Sequence, residues 1–172
     1  MAATDPRVAI LMGSDSDLPV MAEAVKILRR LDLEYEVHVT SAHRSPDRTV
    51  EILRSAPDRG VRVFIVGAGG AAHLAGVAAA HTLLPVLGVP LAASDLNGLD
   101  ALLATVQMPA GVPVGTLAIG KAGAANAAWL AAAILALDDS TLAQRLSEQR
   151  RLMAEAVSHK SEAAQETLRS LL

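Results

Sequence analysis

Cysteine is absent from the 172 residues, which excludes disulfides, thiolate metal sites and a cysteine nucleophile, and fits a reducing compartment. Aromatic residues make up only 2% of the chain, one Trp, one Tyr and one Phe, so platforms for stacking a nucleobase or a flavin ring are scarce. A surplus of positive charge is also missing. The 15 Lys and Arg stand against 18 Asp and Glu for a net charge of −3, leaving no basic field to hold a nucleic-acid backbone or an anionic membrane. The alanine-rich stretches are broken by Gly, Pro or charge well short of the roughly 20 residues of a membrane span. Met1 to Pro6 carries Asp5 and lacks the basic start and apolar core of a secretory signal. These absences predict a cytoplasmic protein with no membrane and no nucleic-acid partner.

What is present is a 52% apolar chain of a length that suits one domain of roughly 100–200 residues. From Arg7 onward, short Val/Ile-rich runs alternate with longer periodic stretches, the pattern of parallel strands joined by crossover helices. Strands are expected at Val8–Met12, Tyr35–Val39, Val61–Val66, Pro85–Val89 and Val114–Ile119. Asp17 is placed to cap a helix starting at about Pro19 and ending near Asp32, and Pro46 opens a second helix closed by Pro57 and Gly60. Glycine-rich turns at Gly67–Gly70 and Gly120–Gly123 lead into small-residue helices, and Leu99 to Gln107 forms another. In Tyr35–Val39 the alternation of Tyr35, Val37 and Val39 with Glu36 and His38 predicts a half-exposed strand near a sheet edge, with His38 solvated. Residues 1–139 thus read as a single α/β domain. Residues 140–172 read as a helical extension with Leu142, Leu146, Met153 and Val157 on one side, able to pack on its own or a neighbouring subunit.

In an open parallel sheet, ligands bind beyond the carboxyl ends of the strands. The first three strands run into Gly13-Ser14-Asp15-Ser16-Asp17, Ser41-Ala42-His43-Arg44-Ser45-Pro46 and Gly67-Ala68-Gly69-Gly70-Ala71-Ala72-His73, so all three loops are expected on one edge. The first brings hydroxyls and backbone N–H groups to a helix start, which suits an anion such as phosphate, although Ser and Asp are also ordinary caps. The second pairs Arg44, a fork of donors fitted to phosphate, with His43, whose ordinary pKa of about 6.5 lets it give and take protons. A loop histidine is commonly just solvated, but this pair framed by Ser41 and Ser45 on the ligand edge favours function. In the third loop Gly69 and Gly70 let a ligand approach bare backbone.

Other motifs fall away. Gly67–Ala72 matches the loose dinucleotide pattern G-x-G-x-x-A, but it follows the third strand and has no acidic residue about 20 positions later for a ribose. Gly120-Lys121 lacks the spacing and hydroxyl of a phosphate loop, so ATP use has no support. His43, His73 and His81 show no zinc-site spacing. His81 reads as a helix-end residue and His159 as a solvated one.

The loops just described, together with Val106-Gln107-Met108-Pro109, Gly120-Lys121-Ala122-Gly123-Ala124-Ala125-Asn126-Ala127 and Leu74 after His73, closely resemble the class I 5-(carboxyamino)imidazole ribonucleotide mutases of purine biosynthesis, the PurE family. The likeness runs in order from Arg7 to about Leu137; Ala75-Gly76-Val77 departs from the family's Pro-Gly-Met. It implies a flavodoxin-like, three-layer α/β/α fold and a homo-octamer with shared sites. It also implies transfer of a carboxylate from the exocyclic nitrogen to ring carbon 4 of an aminoimidazole ribonucleotide, with no cofactor, ATP or metal. The family's general acid/base falls on His43, and its phosphate and ribose contacts on Ser14, Ser16, Asp17, Ser41 and Arg44. Ala68, Gly69, Gly70, His73 and Leu74 would line the base and the migrating carboxylate.

Two rivals stand beside this expectation. Direct carboxylation of aminoimidazole ribonucleotide by carbon dioxide, the class II activity, uses a similar site. A non-catalytic flavodoxin-like nucleotide or flavin binder is weakened by composition, since Tyr35, Phe64 and Trp129 all lie outside the ligand loops.

Overall fold

The computed structural model describes residues 5–172; Met1–Thr4, part of the stretch read for a signal, lie outside the described residues. Five parallel strands, β1 (Val8–Met12), β2 (Tyr35–Val39), β3 (Val63–Gly69), β4 (Val86–Leu91) and β5 (Gly115–Thr116), form one sheet in the order β2-β1-β3-β4-β5. The helices are α1 (Leu18–Arg30), α2 (Pro46–Ser55), α3 (Leu74–His81), α4 (Leu99–Val106), α5 (Lys121–Leu135) and α6 (Ser140–Leu171). This order is the flavodoxin-like arrangement.

Strand alternation sorts the core into two layers. Val8, Ile10 and Met12 of β1 face Met21, Ala24, Ile27 and Leu28 of α1 and the alanine face of α5. Ala9 and Leu11 face the other way, with Phe64 and Val66, toward α2, α3 and α4. In α5 the buried residues are Gly123, Ala124, Ala127, Ala128, Ala131, Ala132 and Leu135, and their small side chains let the helix lie close against α1 and the sheet.

Several boundaries differ from the sequence pattern for physical reasons. Gly67–Gly69, expected as a turn, continues β3 by pairing with Val89–Leu91, since a glycine inside a ladder loses no backbone bond. Strand β4 runs past Pro90 to Leu91 because pairing with β5 has already ended at Gly88 and Thr116, so the missing N–H of proline breaks no ladder on that side. The run expected at Val114–Ile119 pairs regularly only at Gly115–Thr116, after which single bonds from Leu117 N to Gly88 O and from Gly120 N to Pro90 O follow β4.

Strand β2 is at the edge, as its alternation predicts, but its two sides are not as the pattern suggests. Val37 and Val39 are 39% and 45% exposed, whereas Glu36 and His38 are half-buried against the turn that follows α2. Arg59 donates from Nε and Nη2 to both Glu36 oxygens at 2.9 and 2.6 Å. Burial would raise the Glu36 pKa, but the Arg59 bonds and the neighbouring His38 hold the carboxyl below its ordinary range. His38 is therefore not solvated: its Nε2 is buried, 3.1 Å from Glu36 Oε1 and out of line for a hydrogen bond.

No helix among the described residues is long and apolar enough to cross a membrane. Helix α6 starts on the domain and then leaves it. Asp139 caps it by accepting from Leu142 N at 3.0 Å and is held by Arg7 Nη1 at 2.6 Å. Leu142 is buried in the α1/α5 layer, and Arg145 donates to Leu31 O at 2.9 Å. From Arg151 onward every residue is exposed, including Met153 and Val157, so only the first turns of the expected stripe find a surface in their own chain. Leu142→Ala should lower the unfolding free energy by about 2–4 kcal/mol, the range for a leucine removed from a packed core. Denaturant unfolding of the two chains measures this; a change below about 0.5 kcal/mol, typical of surface substitutions, would mean that the start of α6 is not docked.

Candidate active site

The order β2-β1-β3 places a reversal of strand order, not of chain direction, between β1 and β3. The crossover after β1 covers one face of the sheet and the crossover after β3 the other, so their loops part and leave a crevice at the strand ends. A cavity of about 480 Å³ opens there, lined from the first loop by Gly13, Ser14, Ser16 and Asp17, and from the second by Ser41, Ala42, His43 and Arg44. Ala68, Gly69, Ala71, Leu74 and Ala93 complete it. A larger, more open hollow of about 750 Å³ follows α2 past Asp47, Glu51, Arg54, Asp58 and His81, away from the strand ends.

The first loop is held by its own polar groups. Ser14 begins a single 3-10 turn, Asp15–Asp17, in a reciprocal cap: Ser14 Oγ accepts from Ser16 N at 3.3 Å, and Asp17 Oδ2 accepts from Ser14 N at 3.1 Å. Asp17, expected to cap α1, makes no side-chain bond to that helix; its carboxylate turns back to the loop. Burial is the largest influence on this group and raises its pKa, against bonds from the Ser14 and Gly13 backbone that lower it.

In the second loop the serines build the turn that carries His43 and Arg44. Ser45 Oγ accepts from Ser41 N at 3.0 Å, and Ser41 Oγ accepts from Arg44 N at 3.2 Å. Beneath them the hydroxyls of Thr40 and Thr49 form a buried 2.7 Å bond. Arg44 Nη2 reaches across to Gly13 O at 3.3 Å, joining the first two loops.

The third loop supplies backbone. Gly69 is required by close approach, because a Cβ there would lie 2.5 Å from Ala93 Cβ and 3.1 Å from Leu91 O. Gly70 is required by conformation, with φ +60° and open space around it. His73 stands just before α3, and its Nδ1 is 2.8 Å from Nε2 of His43. All eleven residues singled out by sequence and resemblance therefore gather at one edge, nine on the cavity wall, His73 through His43, and Gly70 in the loop between Gly69 and Ala71. Ala93 was missed because the expected strand stopped before Pro90; the strand-end rule applied to the true end of β4 finds it. Among the described residues no group of three or more His, Asp or Glu is arranged for a metal ion.

A parallel 2-1-3-4-5 sheet with a donor-rich, histidine-bearing crevice at its switch point defines a small-molecule α/β protein. The AIR carboxylase family model matches residues 7–156. A Brucella melitensis protein named N5-carboxyaminoimidazole ribonucleotide mutase is 55% identical over 153 residues, covering 89% of this chain and 94% of the relative. The Escherichia coli K12 protein of that name is 55% identical over 151 residues, 88% and 89%, and that of Thermotoga maritima 51% over 157 residues, 91% of each. The crystal structure of Treponema denticola PurE superposes with a TM-score of 0.82 at 26% identity, covering 91% of this chain and 97% of that one. The chain belongs to the AIR carboxylase family.

The raised pKa of Asp17 carries a testable sign. A carboxyl whose folded pKa lies above its unfolded value binds a proton more tightly when folded, so its ionisation costs stability as pH rises through the folded pKa. Asp17→Asn keeps an acceptor for Ser14 N and removes that cost. The variant should be more stable than wild type near pH 7, with the difference shrinking as pH falls into the carboxylate range. Thermal unfolding across that pH range checks it; a variant less stable than wild type at neutral pH contradicts it.

Proposed function

We infer that the chain is a 5-(carboxyamino)imidazole ribonucleotide mutase of purine biosynthesis, which converts its substrate to 4-carboxy-5-aminoimidazole ribonucleotide. The carrying observation is identity of 51–55% to proteins of that name over about nine-tenths of the chain, with the motif loops meeting in one cavity. In this reading the phosphate and ribose lie toward Ser14, Ser16, Asp17, Ser41 and Arg44. The base and the migrating carboxylate lie along Ala68, Gly69, Gly70 and Leu74, with His73 reached through His43. The cavity's size falls within the roughly 300–1,000 Å³ usual for small-molecule sites.

The chemistry asks little of the protein. Protonation of the carbamate nitrogen breaks the N–C bond and releases carbon dioxide, leaving an aminoimidazole whose carbon 4 is electron-rich. That carbon attacks the same carbon dioxide if it is kept from escaping, and one proton must then leave carbon 4. His43 gives the first proton and takes the second, so the enzyme ends as it began. Walls of backbone and alanine hold a molecule as small as carbon dioxide beside its target, a proximity effect. Neither ATP nor metal takes part in this scheme.

Residues 1–139 form the catalytic domain in this reading, and residues 140–172 an extension whose bare stripe docks on a neighbouring subunit of a homo-octamer in the cytoplasm. The exposure of Met153, Val157, Leu168 and Leu171 in the single chain supports a partner surface. Deleting residues 140–172 should reduce the oligomer seen by sedimentation; an octamer intact without them would refute the docking.

The function is tested by a spectrophotometric assay with the carboxyamino ribonucleotide and no ATP, in which turnover is expected. His43→Asn should cut the rate by at least about 10⁴-fold, the upper end for a general acid/base, while calorimetry still shows binding. Retention of more than a tenth of the rate would remove His43 from the proton steps. Arg44→Ala should weaken substrate binding by about 1.5–3 kcal/mol, the worth of a charge-assisted bond; an unchanged KM would move the phosphate elsewhere.

A further inference from the structure

We propose that His73 is a positioning residue that fixes the tautomer of His43, so that Nδ1 of His43 is the nitrogen that exchanges protons with the substrate. His43 sits between β2 and α2 and His73 between β3 and α3, yet Nε2 of the first and Nδ1 of the second are 2.8 Å apart. The rings meet edge to face, their planes at 85° and centroids 4.9 Å apart. A neutral imidazole has one N–H and one lone pair, so this bond decides which nitrogen carries the proton.

The direction follows from what each ring can carry. As an acid, His43 bears hydrogen on both nitrogens, so its Nε2–H must donate and Nδ1 of His73 must accept. If the bond is to survive when His43 gives up a proton, the proton that leaves is the one on Nδ1. That proton passes to the carbamate nitrogen as the N–C bond breaks, and Nδ1 later takes the proton from carbon 4. Nε2–H stays on the bond throughout, and the count of protons returns to its start. His73 serves as acceptor through Nδ1, the atom that stands 2.8 Å from Nε2 of His43.

The rate readouts rest on the mutase reading; the tautomer does not. Solid-state nitrogen-15 spectra of histidine-labelled protein, assigned by the signals lost in His43→Asn, should show neutral His43 with hydrogen on Nε2 and none on Nδ1. In His73→Phe, which keeps a ring but no acceptor, the hydrogen-bond displacement of the His43 Nε2–H signal should be lost, and kcat should fall at least about tenfold with KM moving less than about threefold. His73→Asn, whose carbonyl oxygen stands near the place of Nδ1, should recover most of the loss. Hydrogen on Nδ1 of neutral wild-type His43, a Phe variant within about threefold of wild-type kcat, or an Asn variant as slow as Phe overturns the proposal. A wild-type chain that turns over no carboxyamino ribonucleotide overturns the mutase reading instead, and the spectra still decide the pairing.

Discussion

Opposite-face crossovers on either side of β1 and β3 are the constraint from which the site derives. Right-handed connections send the chain after β1 to one face and the chain after β3 to the other, so neither loop can cover the gap between them. Everything polar in the crevice is then a matter of what each loop carries outward. The first brings a self-capped serine and aspartate turn, the second a histidine and an arginine on a serine-pinned bend, and the third backbone with almost no side chain. The packed layers below set the spacing: Met12 and Ala68 are buried, and the loops rise directly from them.

The site is stabilised less than the sheet beneath it. Asp17 keeps a partly buried carboxylate against desolvation, and Gly70 holds a left-handed conformation with open space where a Cβ would stand. Among the described residues the Arg44 guanidinium donates to one group, the Gly13 carbonyl, at 3.3 Å. The Arg44 donors left under-satisfied in this way are suited to an anionic ligand group and the Asp17 carboxylate to a ligand hydroxyl, and their cost is carried by a core in which β1 and most of β3 are fully enclosed. Helix α6 shows the same division, anchored by Asp139, Leu142 and Arg145 and bare beyond.

Most of the fold was legible because the signals were local: apolar runs of strand length, Pro46 at a helix start and Gly60 at a stop each follow from backbone chemistry. The strand ends were harder. Pro90 reads as a break until it is known that β5 has already parted from β4, and Gly67–Gly69 reads as a turn until its partner strand is known. Such neighbours are distant in sequence. For the same reason the alternation in Tyr35–Val39 could not reveal that Arg59 draws Glu36 inward while Val37 and Val39 stay exposed. At the site, residue types pointed to His43 and Arg44 before any coordinates, whereas the bond between His43 and His73 joins two loops and has no sequence signature.

The central claim is that one molecule of carbon dioxide is released and recaptured within the crevice, which an isotope experiment addresses most directly. Substrate carrying carbon-13 in its carbamate is turned over in unlabelled bicarbonate buffer, and the carboxylate of the product is analysed by mass spectrometry. Retention of the label in nearly all of the product is the predicted result. Product carrying the carbon of the buffer would mean that the carboxylate comes from solution, and the account of a closed internal transfer would be wrong.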